Sequence, residues 1–403
     1  MTSPVDTSVK YFTSAMANAP VLSGTVGSMI ALLDACLKDG FDTKTLTSLV
    51  VVGGVATATY TGTHASLVDG VVQIAGVTGG PAGFAGLNGE QKITGMPGAT
   101  TRTFATALPD GTYTGTITMK VAPAGWLKPF SGTNLAAYKS ADVASTGMLL
   151  RVDDTATTQC RVIGYEAMSD VNTGAGPFPT TAQISGGGYW PKSTVATSAP
   201  VAWVLVADGR TFLIHIAPGL PQSPSFMQGC TRGFGDAIAL KPGGDAFACF
   251  LSHSVQPGSA SMYDSALDGT QASGYAVFPR SFAGVGSAAQ HFCLPYTGQN
   301  ILSGADSTFG SFPSLVDGSL KLSRRYFATT VTTAPPRADC PGLVSSPQTL
   351  LFDSFRMNDR IPGAGAFAGR TLVALNPTQA SMSGTPTTGN TGASFVDVTG
   401  PWR

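Results

Sequence analysis

Residues 200–219 read PVAWVLVADGRTFLIHIAPG. An apolar run carrying Trp203 and Leu205 breaks at Asp208-Gly209 and resumes with Phe212 and Ile214. Two such runs about an Asp-Gly pair predict a β-hairpin closed by a type I′ turn. His215 then sits inside an alternating strand, LIHIAP, and points to one face of a sheet.

The same grammar extends outward in both directions. Downstream, DAIALKPGGDAFACFLS repeats the device about Pro242-Gly243-Gly244, and strands are expected at YAVFPR, AQHFCLPY, LKLSRRYFATTV and RTLVALN. Upstream, MLLRVDD and QCRVIGYEAM alternate about the turn DDTATTQ. Further upstream, VVVGGVATATY predicts a hairpin at Gly53-Gly54, followed by VDGVVQIAGV, GEQKITG, TRTFATAL and TYTGTITMKV at intervals typical of a small sandwich or barrel. PAGWLKPFSGTN, with Trp126 and two prolines, reads as a linker docked on something apolar. The only strong helical spacing lies in LSGTVGSMIALLDACLKDGF, where Met29, Ile30, Leu32, Leu33, Cys36 and Leu37 share a face. Ser23 or Ser28 is its candidate cap, and Lys38 with Gly40 marks its end.

The fold class that follows is mainly β: a small β-sandwich or barrel module, a larger β-rich domain and one short N-terminal helix. The expected boundaries are 1–45 for an N-terminal segment with its helix at about 27–38, 46–122 for the small module, 123–145 for a linker, 146–375 for the larger domain, and 376–403 for a flexible tail ending in a short anchoring segment.

At 403 residues the chain is long enough for a sizeable core and for two or three domains. Its 23 basic residues balance 23 acidic ones, and only 11% of residues are charged, against about 25% in an average chain. The surface is therefore covered by Thr, Ser, Gly and Ala, repels neighbouring copies weakly, and offers no basic footprint for nucleic acid. With 43% hydrophobic residues, disorder is excluded as a general description. The Gly and Pro residues, 50 and 27 in number, are dispersed as turn punctuation rather than gathered in one tract. No apolar run approaches the roughly 20 residues that span a bilayer, so a soluble protein without membrane insertion is expected. The six cysteines lack zinc or redox spacing, and the N-terminus lacks a signal-peptide pattern, which together predict free buried thiols made in a reducing cytoplasm.

The search for chemistry yields no catalytic, cofactor-binding or metal-ligating set, and the protein is expected not to be an enzyme. His64, His215, His253 and His291 form no metal or triad spacing, and His64 is expected to turn the chain between two strands. Asp153-Asp154, with Glu166 and Asp170 following, reads as turn chemistry before it reads as a carboxylate pair. YDSALDG, with Asp264 and Asp268, lacks the spacing of a calcium loop. The glycine runs GGPAGFAGLNG and PGAGAFAGR match no phosphate loop. The candidate surface or partner contacts are Tyr189, Trp190, Tyr275 and Tyr296, the pair Arg324-Arg325 beside Tyr326 and Phe327, and Trp402 as a terminal anchor.

A resemblance adds to this. The run 63–126 carries a histidine turn at His64, then Asp69-Gly70, Ile74 and Gly76, then LNGE at Leu87 to Glu90, then Thr101 to Phe104 and a glycine-rich closing hairpin. This order resembles a β-rich module of tailed-phage virion proteins. The stretches KPFSGTNLAAYKS, LLRVDD, GYEAMSDVNTGAGPFPT, GGGYWPKS, WVLVADGRTF, AGRTLVAL and DVTGPWR are similar to proteins encoded near the baseplate genes of Mu-like phages with long non-contractile tails. Short motifs carry the likeness from about Val9 onward, and residues 254–333 share least of it. It implies a structural protein of the baseplate or tail tip, located in the virion and made in the host cytoplasm. It further implies assembly with other tail proteins and with itself, as a homotrimer, and no family catalytic residue carries over. A receptor-binding or tail-fibre protein touching the host surface is the first alternative. A virion-associated polysaccharide depolymerase, which needs two carboxylates in one groove, is the second.

Overall fold

The structure, a computed structural model, describes residues 3–219, 229–257, 260–263, 265, 267–268, 275–296, 322–330, 335–346, 355–375 and 393–403. It is mainly β, 48% strand against 6% helix, and its strands form three sheets.

The first sheet closes on itself. Starting from Val55–Tyr60, each strand pairs with the next through Thr101–Ala105, Gly89–Gly98, Val71–Ala75, Thr118–Val121 and Phe41–Val52, and the last returns to the first. Alternation drives this closure: along Val55–Tyr60 every second residue (Ala56, Ala58, Tyr60) is buried. With Leu49, Ile74, Ile93, Phe104 and Met119 they fill the barrel. The predicted hairpin stands at Gly53-Gly54, whose φ angles of 58° and 78° are those a tight primed turn needs. TYTGTITMKV, expected as one strand, is two, Gly111–Tyr113 and Thr118–Val121.

The second sheet corrects a boundary. The 123–145 stretch is no linker: Trp126–Gly132 and Leu135–Ser140 pair as a hairpin and continue into Leu149–Asp153, Gln159–Met168 and Gly174–Phe178, with Gly188–Pro191 beside Gln159–Met168. Trp126 does dock on something apolar, with its ring 5.3 Å from Phe212 and edge-on to it.

The third sheet is the largest. Its order runs from Lys10–Thr13 through Ala202–Ala207, Thr211–Ala217, Cys230–Asp236, Cys249–His253, Tyr275–Phe278, Ala289–Pro295, Ser323–Ala328, Ala338–Ser345 and Ser394–Asp397 to Thr371–Leu375 and Arg360–Pro362. The region 146–375 is thus shared between two sheets, and the larger one recruits strands from both ends of the chain. It curls until its ends meet, and Tyr11 Oη donates to Asn358 Oδ1 at 2.9 Å. The second sheet covers one face through Trp126, Phe178 and Trp190 against Phe212 and Phe234. Strands Thr211–Ala217 and Cys230–Asp236 are consequently buried on both faces.

The decisive hairpin is present, with Ala207 opposite Phe212, yet its turn differs from expectation. Neither Asp208 nor Gly209 has a positive φ. Instead Asp208 Oδ1 accepts the N–H groups of Arg210 and Thr211 at 2.8 and 2.7 Å, an Asx turn. The helix starts at Ser28–Leu33 and continues as a π-helical stretch, Asp34–Asp39. Its cap is neither Ser23 nor Ser28: Asp154 reaches in from the second sheet, and its Oδ2 accepts Met29 N and Ile30 N at 2.8 and 3.2 Å. Asp153 is the turn aspartate, bonded to Thr155. All six cysteines are buried and none forms a disulfide among the described residues. Residues 376–392 of the expected flexible tail, and Asp264, lie outside the described residues.

Candidate functional site

The strand Ala338–Ser345 is where the large sheet splits. Tyr326 pairs with Asp339, but Arg324, two residues earlier, pairs with Val344. Between those two pairs one strand advances two residues and its neighbour five, so the run Cys340–Leu343 bulges out. On its other edge the strand changes partner, from Ile238–Ala239 to Ser394–Asp397. A proline and a glycine inside a strand mark such a place: Gly342 stands at φ 68°, and a Cβ there would fall 2.3 Å from Trp402 Cε2. The indole occupies the space that the missing side chain leaves, and its Nε1 donates to Asp397 O at 2.9 Å.

What remains open is a cleft of about 170 Å³. It is lined by Arg324, Asp339, Arg370, Asp397, Phe367 and Trp402, among others. Two ion pairs frame it. Arg324 Nη1 meets Asp339 Oδ2 at 2.8 Å, with side chains 65% and 5% exposed. Arg370 Nη1 meets Asp397 Oδ2 at 2.9 Å, with side chains 31% and 12% exposed. Tyr296 stands beside the mouth, 41% exposed, with its hydroxyl donating to Asp339 Oδ1, the Arg324 guanidinium 5.5 Å from its ring and Tyr326 4.5 Å away. Burial, and then Asp339, push its phenol pKa up. Both carboxylates are spent, since Asp397 Oδ1 also accepts Thr399 N and Gly400 N at 2.8 and 3.4 Å.

Three of the candidate contacts thus converge: Tyr296, Arg324 and Trp402. Trp402 is anchored within its own chain. The others lie elsewhere. Tyr189 is half-buried under the Arg161 guanidinium, 3.9 Å from its ring centre. Trp190 and Arg325 are interior residues, not surface contacts: Trp190 Nε1 donates to Ser252 O at 2.6 Å, and Arg325 donates to Ser345 Oγ and Cys293 O at 2.8 and 2.7 Å. The backbone of Tyr275 pairs with His253, and its side chain is outside the described residues. Asp339, Arg370, Asp397 and Phe367 were not singled out from the sequence. The Pro341-Gly342 pair inside a strand-like run was the available signal for the bulge that gathers them.

The four histidines are buried. His64 is a turn residue: its Nδ1 accepts Ser66 N at 3.0 Å, inside a knot in which Arg102 donates to Ser66 O and His64 O. Burial lowers the pKa values of His64, His253 and His291 to about 4. Among the described residues, no three His, Cys, Asp or Glu side chains gather as metal ligands do, and no helix is long and apolar enough to cross a membrane. No protein-family profile matches the chain, and no curated protein matches it.

Proposed function

We propose that the chain is a structural protein of a tailed-phage virion, at the baseplate or tail tip, assembling with copies of itself and with other tail proteins. The observation that carries this reading is how the molecule spends its charge. Most of the few charged side chains described are paired within the chain. Beside those pairs the surface exposes scattered apolar groups such as Val52, Leu127, Val143 and Val285. Charge is depleted at the cores of protein interfaces, because each ion buried there must be desolvated. A surface of this kind packs among many copies at little electrostatic cost, and the resemblance of the short motifs to virion proteins supports the same reading.

The test is to purify virions that encode this chain and label their tails with an antibody against it. Gold at the distal tail end, with a trimer mass by light scattering for the isolated protein, is the expected result. Label absent from the tail overturns the proposal. Contact with the host surface is the favoured alternative because Arg324 and Trp402 line one open cleft, with the Tyr296 ring beside Arg324 at its mouth. The depolymerase reading finds its two carboxylates, Asp339 and Asp397, in that same cleft. Both are held by arginines, so binding is favoured over proton transfer.

A further inference from the structure

We propose that the cleft beside Trp402 binds an acidic saccharide, gripping the carboxylate of a uronic-acid-type ring. This deepens the host-contact part of the reading above and rests on it for its biological sense, while its chemistry stands on the cleft alone.

Asp339 is occupied by Tyr296 Oη and Arg324, and Asp397 by Arg370 and two backbone N–H groups. The arginines are not exhausted. A guanidinium carries five N–H donors in a planar fork. Among the described residues Arg324 donates only through Nη1, to Asp339, and Arg370 only through Nη1, to Asp397 and Pro401 O. Each therefore keeps its Nε and Nη2 donors. The cleft is neutral in charge but rich in donors, and a planar anion that accepts two parallel hydrogen bonds is the complement of such a fork. Inorganic anions satisfy that requirement but leave the rest of the lining unused. Trp402, Phe367 and Pro401 offer flat apolar surface, which suits the C–H face of a sugar ring. The volume of about 170 Å³ admits one ring, and the exposed Tyr296 and Arg324 at the mouth leave a path for the next one.

Calorimetry on the full chain with sodium glucuronate, glucose, sodium sulfate and a glutamate-rich peptide tests this. Glucuronate is expected to bind saturably, about tenfold or more tighter than glucose, as for a lost charge-assisted hydrogen bond, and to weaken with added salt. Arg324→Gln should remove that preference at a temperature where circular dichroism shows the variant folded, although its unfolding midpoint should fall because the buried Asp339 loses its cation. Equal binding of glucose and glucuronate, binding of neither, or an unaffected Arg324→Gln variant overturns the assignment. Tighter binding of sulfate or of the peptide also overturns it, in favour of an anion or protein site. Neither outcome bears on whether the chain sits in the tail, which the antibody label decides separately.

Discussion

The barrel and the large curled sheet solve the same problem in opposite ways. In the barrel, strands such as Val55–Tyr60 and Thr101–Ala105 bury every second residue, and closure removes its edges. In the large sheet four successive strands between Ala202 and His253 are buried on both faces. One side is covered by the second sheet, and the other is turned inward by the curl. Polar side chains on that inner side have no water to meet. They bond each other instead: His215 Nδ1 contacts Thr231 Oγ1 at 3.1 Å, and Thr231 Oγ1 donates to Asp268 Oδ2 at 2.6 Å. The barrel gathers buried polar groups in the knot about Arg102, beside its apolar filling, whereas the large sheet carries polar side chains along its inner face that depend on one another.

This difference predicts that buried charge matters more in the large sheet. Arg337 Nε meets Asp245 at 2.9 Å, with both side chains under 4% exposed, and the guanidinium also donates to Arg280 O, Phe247 O and Ser281 O. Arg337→Met should cost about 3–5 kcal/mol by chemical denaturation, because it strands the Asp245 carboxylate. Adding Asp245→Asn should restore part of the loss. Arg102 of the barrel donates to carbonyls and to one hydroxyl, so Arg102→Met should cost only about 1–3 kcal/mol. Equal losses would erase the contrast.

Acid should separate the two regions next. His253 and His291 of the large sheet and His64 of the barrel have pKa values near 4 when folded, against 6.5 unfolded. The unfolded chain therefore binds more protons between those values, and stability present above pH 6.5 is lost as the pH falls toward 4. With two of the three histidines, the large sheet should open first. Hydrogen exchange at pH 5 should rise in Cys249–His253 and Ala289–Pro295 before it rises in Val55–Tyr60.

The junction between the regions is polar, and its loss should be milder. Buried Lys92 of the barrel donates to Val398 O and Thr399 O at 3.0 and 2.7 Å. Lys92→Met should cost about 1.5–3 kcal/mol and raise exchange in 398–403 while barrel amides stay protected. A barrel that melts together with that segment would show that the two are one cooperative unit.

The barrel was the more legible half, because alternation reports a face only when one face is wet. LIHIAP alternates too, but there the polar position marks an interior network. Arg325 and Trp190 are interior because of partners distant in sequence: Trp190 packs edge-on against Phe212 of the large sheet, and Arg325 bonds Cys293 O and Ser345 Oγ on neighbouring strands. The cleft was half legible. Arg324, Tyr296 and Trp402 stood out by type, whereas Asp339, Arg370 and Asp397 join them only through the change of strand partner at the bulge. Strand pairing across more than fifty residues leaves no local trace.

The smallest effect separates the two hairpin tips. Gly54 in the barrel has φ 78°, and a Cβ there would meet Thr106 O at 3.4 Å. Gly54→Ala should therefore cost about 1 kcal/mol or somewhat more, the penalty of a left-handed residue with a side chain. Gly209 carries no positive φ, and its added Cβ would find only Asp142 Cβ, at 3.9 Å. Gly209→Ala should thus stabilise by about 0.4–1 kcal/mol, since it narrows the unfolded ensemble without straining the turn. Opposite signs in thermal melts of these two variants would establish that Asp-Gly closes its hairpin through the Asp208 carboxylate, while Gly-Gly closes the barrel's hairpin through its backbone. A loss at both tips would return the Asp208-Gly209 turn to the primed geometry read from its sequence.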